Sequence, residues 1–390
     1  MRPDFLREAE SAAPELLALR RELHRCPELG NREFETARRV EQYLNGLGIE
    51  TFRLLDTAVV GILRGGRPGK TVGLRADMDA LPLNEDTGVE WASEKPGVMH
   101  ACGHDVHMTS ALGAAKLLSA RRESLPGTVR FFFQPDEEDR GGARRMIDAG
   151  CLGDTEAVFG CHVDPKLPAG TVGVRYGKFY AASDTFAVTV RGVTSHGAVR
   201  EMGIDALAAA AELTLALLAL PERLQPERSV VTVGVLHAGT ADNILPGAAE
   251  LKGIIRTLGA DSRKRMEELF RETVAAVAAK TGTEIELWLR HSHGGIVNED
   301  SAAALVQTAA ESLLGKDRVA VLHEPLMISE DFGCFVDAAG GAFYHVGAGC
   351  PAALHSPQFL PADGAVTTAA AVHAAVLWDW LKTRERSDKN

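Results

Sequence analysis

A chain of 390 residues, 45% hydrophobic and 24% charged, has the length for two globular domains and too much apolar content for wholesale disorder. Its formal net charge of −11 speaks against a nucleic-acid or anionic-membrane surface, which needs clustered positive charge. Met1 to Arg21 is a charged amphipathic pattern without the apolar core and small cleavage-site residues of a signal peptide, and no stretch is long and apolar enough to span a bilayer. Cys26, Cys102, Cys151, Cys161, Cys334 and Cys350 lack the spacing of a disulfide framework, so the expectation is reduced thiols and a cytoplasmic location.

In chain order, Leu16 to Arg25 and Asn31 to Leu47 carry the three-and-four spacing of amphipathic helices, separated by Pro27 and Gly30. His24 reads as a satisfied group on a helix surface. Short apolar runs follow, Ala58 to Leu63 and Thr71 to Leu74, bounded by glycine or proline as buried strands are. The second leads into Arg75-Ala76-Asp77-Met78-Asp79-Ala80-Leu81-Pro82, whose two carboxylates share a side if the strand continues. Met99-His100-Ala101-Cys102-Gly103-His104-Asp105-Val106-His107-Met108 then gathers a thiol, three imidazoles and a carboxylate. Those donors suit Zn2+, Mn2+ or Co2+, and Gly103 lets two close neighbours aim at one point. The helix that follows, Val106 to Ala120, puts Cys102, His104 and Asp105 at an N-terminus, where the dipole favours thiolate and carboxylate.

The apolar run Thr128 to Phe133 ends in Gln134-Pro135-Asp136-Glu137-Glu138-Asp139, four carboxylates whose repulsion must be relieved by solvent or a cation. After a helix around Gly142 to Ala149, Glu156 to Cys161 ends directly in His162. In an open parallel sheet the carboxyl ends of strands lie along one edge, so these candidates converge. From Ser183 to Arg290 the order is strand, helix, strand, strand, helix, strand, the split ferredoxin-like unit. Its polar residues of interest are His196 and Asn243 in connections, and Arg256 inside an apolar strand, where the cation needs a carboxylate partner or a substrate. After Gly294 come a helix (Ser301 to Leu314), the loop Ile328-Ser329-Glu330-Asp331-Phe332-Gly333, a strand (Ala342 to Val346), the sequence Leu354-His355-Ser356-Pro357 and a closing helix, about Asp363 to Arg384. The expected fold is α/β: a mixed, mostly parallel sheet formed by residues 1–181 and 295–390, with an inserted α+β domain at 182–294.

Together, Arg75 to Pro82, His100 to Asp105, Gln134 to Glu138, His162, Ser195-His196-Gly197-Ala198, Ser329 to Phe332 and Leu354 to Ser356 resemble the aminoacylase and carboxypeptidase family of two-metal peptidases. The likeness is strongest to its amidohydrolase branch, with hippurate hydrolase, auxin-conjugate hydrolases, N-acetyl-diaminopimelate deacetylase and related aminoacylases. The resemblance runs from roughly Leu16 to the end. It implies a zinc-peptidase-like catalytic domain holding two divalent cations, Zn2+ or Mn2+ with Co2+ as an alternative. The inserted domain would act as a lid and make dimer contacts.

Carried over residue by residue, the resemblance implies Cys102, His104, Glu138, His162 and His355 as metal ligands. It implies Glu137 as general base and Asp79 as the acid orienting a metal-bound imidazole. Asp77 falls where many of the wider family have a ligand histidine. His196 resembles the lid histidine that hydrogen-bonds the developing oxyanion, supplied by a neighbouring subunit in some members, and Asn243 and Arg256 resemble lid groups that hold the substrate carboxylate. Where relatives commonly have Ala and Gly beside the glutamate pair, this chain has Asp136 and Asp139, which would either raise the pKa of Glu137 or favour basic substrates. The expected activity is hydrolysis of an N-acyl amino acid, acetyl, benzoyl or similar, to a carboxylate and a free amino acid. The alternatives are a dipeptidase or carboxypeptidase of the same family, or a non-catalytic metal-binding protein on the same fold. A small-molecule substrate and a homodimer or higher homo-oligomer through the lid complete the expectation, with neither nucleic acid nor membrane as partner.

Overall fold

The short apolar runs become strands because each is flanked by residues that end pairing and has both faces to bury, which favours continuous rather than alternating apolar sequence. The computed structural model describes residues 2–387. Helix α1 (Phe5–Arg25) begins well before the expected Leu16 and runs through Pro14. Asp4 caps it by accepting from the Arg7 amide, and the buried stripe Phe5, Ala9, Leu16 and Leu23 outweighs the cost of the proline. Then come α2 (Phe34–Gly46), β1 (Glu50–Leu54), β2 (Ala58–Arg64), β3 (Arg67–Asp77), α3 (His104–Ser119), β4 (Pro126–Gln134), α4 (Gly142–Asp148), β5 (Thr155–Asp164) and β6 (Val172–Val174).

A second unit follows, built from β7 (Ala182–Arg191), α5 (Ala206–Leu218), β8 (Ser229–Ala238), β9 (Ala248–Thr257), α6 (Ala260–Thr281) and β10 (Glu284–His291). Its four strands lie in the order β8-β9-β7-β10, every pair antiparallel, and its helices cover one face with Leu213, Leu217, Leu269 and Phe270 against Phe186, Val188 and Leu251. The chain then returns to the first unit with α7 (Asp300–Leu314), β11 (Val319–Val321), α8 (Gly333–Ala339), β12 (Gly341–Gly347) and α9 (Gly364–Ser387).

The eight-stranded sheet of the first unit has the order β1-β2-β4-β3-β5-β12-β6-β11. Strands β4, β3, β5 and β12 form a parallel centre, whereas β1, β2 and the β12–β6 pair are antiparallel. Register decides what meets at the carboxyl edge: Asp77 at the end of β3 is opposite Gln134 at the end of β4, and His162 on β5 is opposite His345 on β12. Helix α3 is buried on nearly all sides, against α1 and α9 as well as the sheet, so its first turn is held rigidly above that edge.

Contacts place Lys178–Ile296 and Pro325–Glu330 in the second unit. The sequence boundaries at 181/182 and 294/295 therefore move by a few residues and gain a distant segment. Pairing is the reason: Ala181 donates its amide to Leu326 and Ile328 carbonyls, and Leu326 donates to Phe179.

Candidate metal centre

Gly103 starts the site. It caps α3 with φ +85, a region costly for residues with a side chain, and a Cβ there would lie 2.4 Å from Val163 Cγ2. This tight bend delivers Cys102 and His104 to the strand ends. His162, at the end of β5, lies with Nε2 3.3 Å from Cys102 Sγ, while its Nδ1 is 2.7 Å from the Val163 carbonyl. A carbonyl oxygen can only accept, so Nδ1 carries the hydrogen and Nε2 turns its lone pair to the thiol.

His104 is oriented in the same way. Its Nδ1 donates to the Asp79 carbonyl at 2.8 Å and lies 3.2 Å from Asp79 Oδ1, and its buried Nε2 has no hydrogen-bond partner among the described residues. That nitrogen faces Asp77 Oδ2 at 3.7 Å and Glu138 Oε1 at 3.9 Å. Asp79 also fixes the glutamate loop, accepting the Glu138 amide on Oδ2 at 3.0 Å. His355 arrives from the loop after β12 with φ +61, its amide bonded to the Ala101 carbonyl at 2.8 Å and its Nε2 3.3 Å from Glu138 Oε1.

Donor atoms of Cys102, His104 and His162 lie within 4.8 Å of one another, as do those of Cys102, Glu138 and His355, and those of His104, Glu137 and Glu138. Cys102, His104 and Glu138 each belong to two groups. Electrostatics mark the spot as one that attracts positive charge. Burial pushes the Cys102 thiol well up, and Glu138, Glu137 and Asp77 push it further. Burial alone would lower His104, but Asp77, Asp79 and Glu138 outweigh it and lift its pKa to about 10. Burial, with His107 alongside, holds His162 well below its ordinary value and hence neutral. Against the effect of burial, His355 and His104 keep Glu138 below the usual carboxylate range. Thiol, imidazole and carboxylate with an unpartnered Nε2 form a donor set suited to a borderline divalent cation.

Asp77 has a donor atom within 4.8 Å of those of His104 and His107, and it also makes hydrogen bonds to its neighbours. Its Oδ1 accepts Nδ1–H of His107 at 2.7 Å, and its Oδ2 accepts Arg75 Nη1 at 2.6 Å. His107 in turn accepts the Val163 amide on Nε2 at 3.0 Å, so both its nitrogens are spent. Arg75 continues to Gln134 Oε1 at 2.7 Å and Asp331 Oδ1 at 2.9 Å, tying the loop before α8 to the strand ends.

The remaining candidates belong to the second unit. His196 and Asn243 are exposed; His196 ends a two-residue strand, Ser195–His196, that pairs with Ile244–Leu245 just after Asn243, and the Gly197 amide donates to the Asn243 carbonyl at 2.8 Å. Half-buried Arg256 donates Nη1 to the Ile255 carbonyl, and among the described residues no carboxylate stands within ion-pair distance of it. It lies opposite Ser183 and Val230, at the far end of β9 from Ala248 and the Asn243 loop. At about 3.3 Å per residue that separation is roughly 25 Å, so Asn243 and Arg256 of one chain do not clasp a single carboxylate.

Residues 73–379 match the family described as Peptidase family M20/M25/M40. The chain belongs to this family. It is 35% identical over 371 residues to thermostable carboxypeptidase 1 of Saccharolobus solfataricus, covering 92% of this chain and 93% of that one. It is 36% identical over 369 residues to hippurate hydrolase of Campylobacter jejuni, covering 93% and 96%. A dinuclear metal-binding peptidase of the M20 family from Bacillus subtilis superposes with a TM-score of 0.87 at 33% identity, covering 96% and 99% of the two chains. As a member of M20/M25/M40 the chain is a hydrolase, on an α/β fold shared with solved members. Among the described residues no helix is long and apolar enough to cross a membrane.

Sequence reasoning passed over Arg75, His107 and Asp331 as site-supporting groups, and misread His24. Arg75 is a cation inside an apolar strand, the signal that drew attention to Arg256. His107 follows His104 by three residues and so shares its helix face. His24 is fully buried, held between Asp105 at 3.1 Å and Glu85 at 3.1 Å, rather than lying on a helix surface.

Proposed function

We propose that this hydrolase cleaves the amide of N-acyl amino acids, with acetyl or benzoyl as model acyl groups, to a carboxylate and a free amino acid. The observation that carries the reading is the convergence of Cys102, His104, Glu138, His162 and His355, with Glu137 beside them. These five residues would hold two divalent cations, Zn2+ or Mn2+. Bound there, the cations would lower the pKa of a water and polarise the scissile carbonyl. Glu137 then takes the proton of the attacking water and passes it to the leaving nitrogen. Asp79 keeps the His104 imidazole in the tautomer that presents Nε2, and the Val163 carbonyl does the same for His162.

Arg256 is the group for the substrate carboxylate, since a half-buried guanidinium with no carboxylate in ion-pair distance among the described residues favours an anionic ligand. Following the resemblance, His196 is assigned to donate to the developing oxyanion and Asn243 to help hold the substrate carboxylate, both supplied by a second copy. This reading requires a homodimer through the second unit, which acts as the lid. A carboxypeptidase or dipeptidase activity is the second reading, favoured by the similarity to a thermostable carboxypeptidase.

The test is amine release from N-acetyl and N-benzoyl amino acids and dipeptides by protein stripped with chelator and reloaded with Zn2+, Mn2+ or Co2+. Metal-restored turnover on acylated amino acids, lost by a factor of about 10²–10⁴ in Glu137→Ala with metal content unchanged, is expected. Faster hydrolysis of dipeptides would select the second reading. Equal rates for wild type and Glu137→Ala would remove the proposed base. Mixing inactive Glu137→Ala and His196→Ala proteins should restore activity if the two groups act across copies.

A further inference from the structure

Asp136, one residue before the proposed base, adopts φ +57 although it is not glycine. Left-handed backbone is tolerated by aspartate better than by most residues, but it needs support from its surroundings. Here the support is extensive. The Asp136 side chain is 1% exposed, and its Oδ2 accepts both Asn31 Nδ2 and Arg145 Nη1, the latter at 3.0 Å. Arg145 Nη1 also donates to Asn31 Oδ1 at 2.7 Å, closing a triangle of three side chains. The Asp136 amide donates to Glu33 Oε1 at 3.0 Å, and its carbonyl accepts the amides of Gly141 and Gly142 at 3.1 and 2.9 Å. Gly30 allows the close approach: a Cβ there would sit 2.3 Å from Asp136 Oδ1.

Glu137 and Glu138 are therefore bracketed, by the Asp136 latch on one side and by the Glu138 amide on Asp79 on the other. We infer that Asp136 is a positioning residue, and that with Asn31, Glu33 and Arg145 it fixes the backbone from which Glu137 and Glu138 project. Asp136 faces Arg145 at 3.0 Å, and Asp139 faces Arg140 at 3.3 Å on the open surface. The inference rests on the proposed roles of Glu137 and Glu138.

Two readouts are needed, Zn2+ affinity by chelator competition and kcat with KM on N-acyl amino acids with neutral or basic side chains. Asn31→Ala and Asp136→Ala should each weaken binding of one Zn2+ equivalent about 10–100-fold and lower kcat similarly, with KM changed less than about threefold. Their double variant should be little worse than either alone, because one latch is broken once. Asp136→Asn, which accepts the left-handed backbone and still offers an oxygen to Arg145, should stay within about threefold of wild type in both readouts. Asp136→Gly retains the backbone conformation without the ties and should lose at least about tenfold in Zn2+ affinity, which separates the latch from simple misfolding.

Unchanged Zn2+ affinity and kcat in Asn31→Ala and Asp136→Gly would overturn the inference. So would a tenfold or greater shift in basic-to-neutral preference in Asp136→Asn at unaltered Zn2+ affinity, which would make the carboxylate a selectivity charge. Turnover surviving in Glu137→Ala would instead sink the functional reading, and the Zn2+ arm would still test the latch.

Discussion

His24 makes the stability of the first unit depend on pH. It is fully buried, bonded through Nδ1 to Asp105 and through Nε2 to Glu85, with Arg20 completing the group at 2.9 Å from Asp105. Burial alone would lower its pKa, but Asp105 and Glu85 raise it from 6.5 to about 9. A group whose folded pKa is raised contributes fully below the unfolded value, and the contribution is lost as pH rises through the folded value. The window is thus pH 6.5 to about 9, and a pKa moved across it corresponds to about 3 kcal/mol. Asp105 is held well below the usual carboxylate range by Arg20 and by the same His24 pair, so its side of that interaction is not added again. The assay is urea unfolding of wild type and His24→Gln at intervals from pH 6 to 9.5. The stability advantage of wild type should shrink by about 3 kcal/mol across that range. Trp91, edge-on to His24 with ring centroids 4.9 Å apart, offers a local fluorescence titration read as a difference from the variant. An advantage that stays constant from pH 6 to 9.5 would refute the reasoning, because His24 would then not change charge in the folded protein.

Other substitutions probe the centre and its supports. Gly103→Ala combines a left-handed backbone with overlap against Val163 and should cost about 2–5 kcal/mol in thermal or urea unfolding; a neutral result would mean that the bend is not required. Arg75→Met leaves Asp77 and Asp331 buried without their cation, with an expected loss of about 3–5 kcal/mol, whereas wild-type stability in this variant would show that the carboxylates find other partners. Arg256→Ala should raise KM for N-acyl amino acids about 10–100-fold, the worth of a charge-assisted hydrogen bond, with kcat nearly unchanged. An unaltered KM would remove Arg256 from substrate binding.

How much was legible varied with the range of the interaction concerned. The parallel centre of the sheet could be read because β3, β4 and β5 contain apolar runs that each lead into polar residues. Strands β1, β6 and β11 left little trace, being short or only partly buried, so pairing rather than composition forms them. The start of α1 was missed because Pro14 is a local stop signal that the buried face of the helix overrides. The resemblance gives Asn243 and Arg256 one role, and only the length and register of β9 show that they lie at opposite ends of a sheet.

The sequence by itself determined the kinds of donor available, their position at strand ends and at the start of α3, the α/β architecture and membership of the two-metal peptidase family. These depend on residues near one another in the chain: a glycine beside a thiol, glutamates directly after an apolar run. Tertiary structure decided which donors remain unpartnered. Asp77 and His107 are thirty residues apart and bond each other, Arg75 reaches Asp331 across 256 positions, and Asp136 is held by Asn31 from a segment 105 residues earlier. A hydrogen-bonding group serves only as many partners as it has protons and lone pairs. That allocation is made between distant parts of the chain, so it is fixed when the chain folds and cannot be read from local pattern.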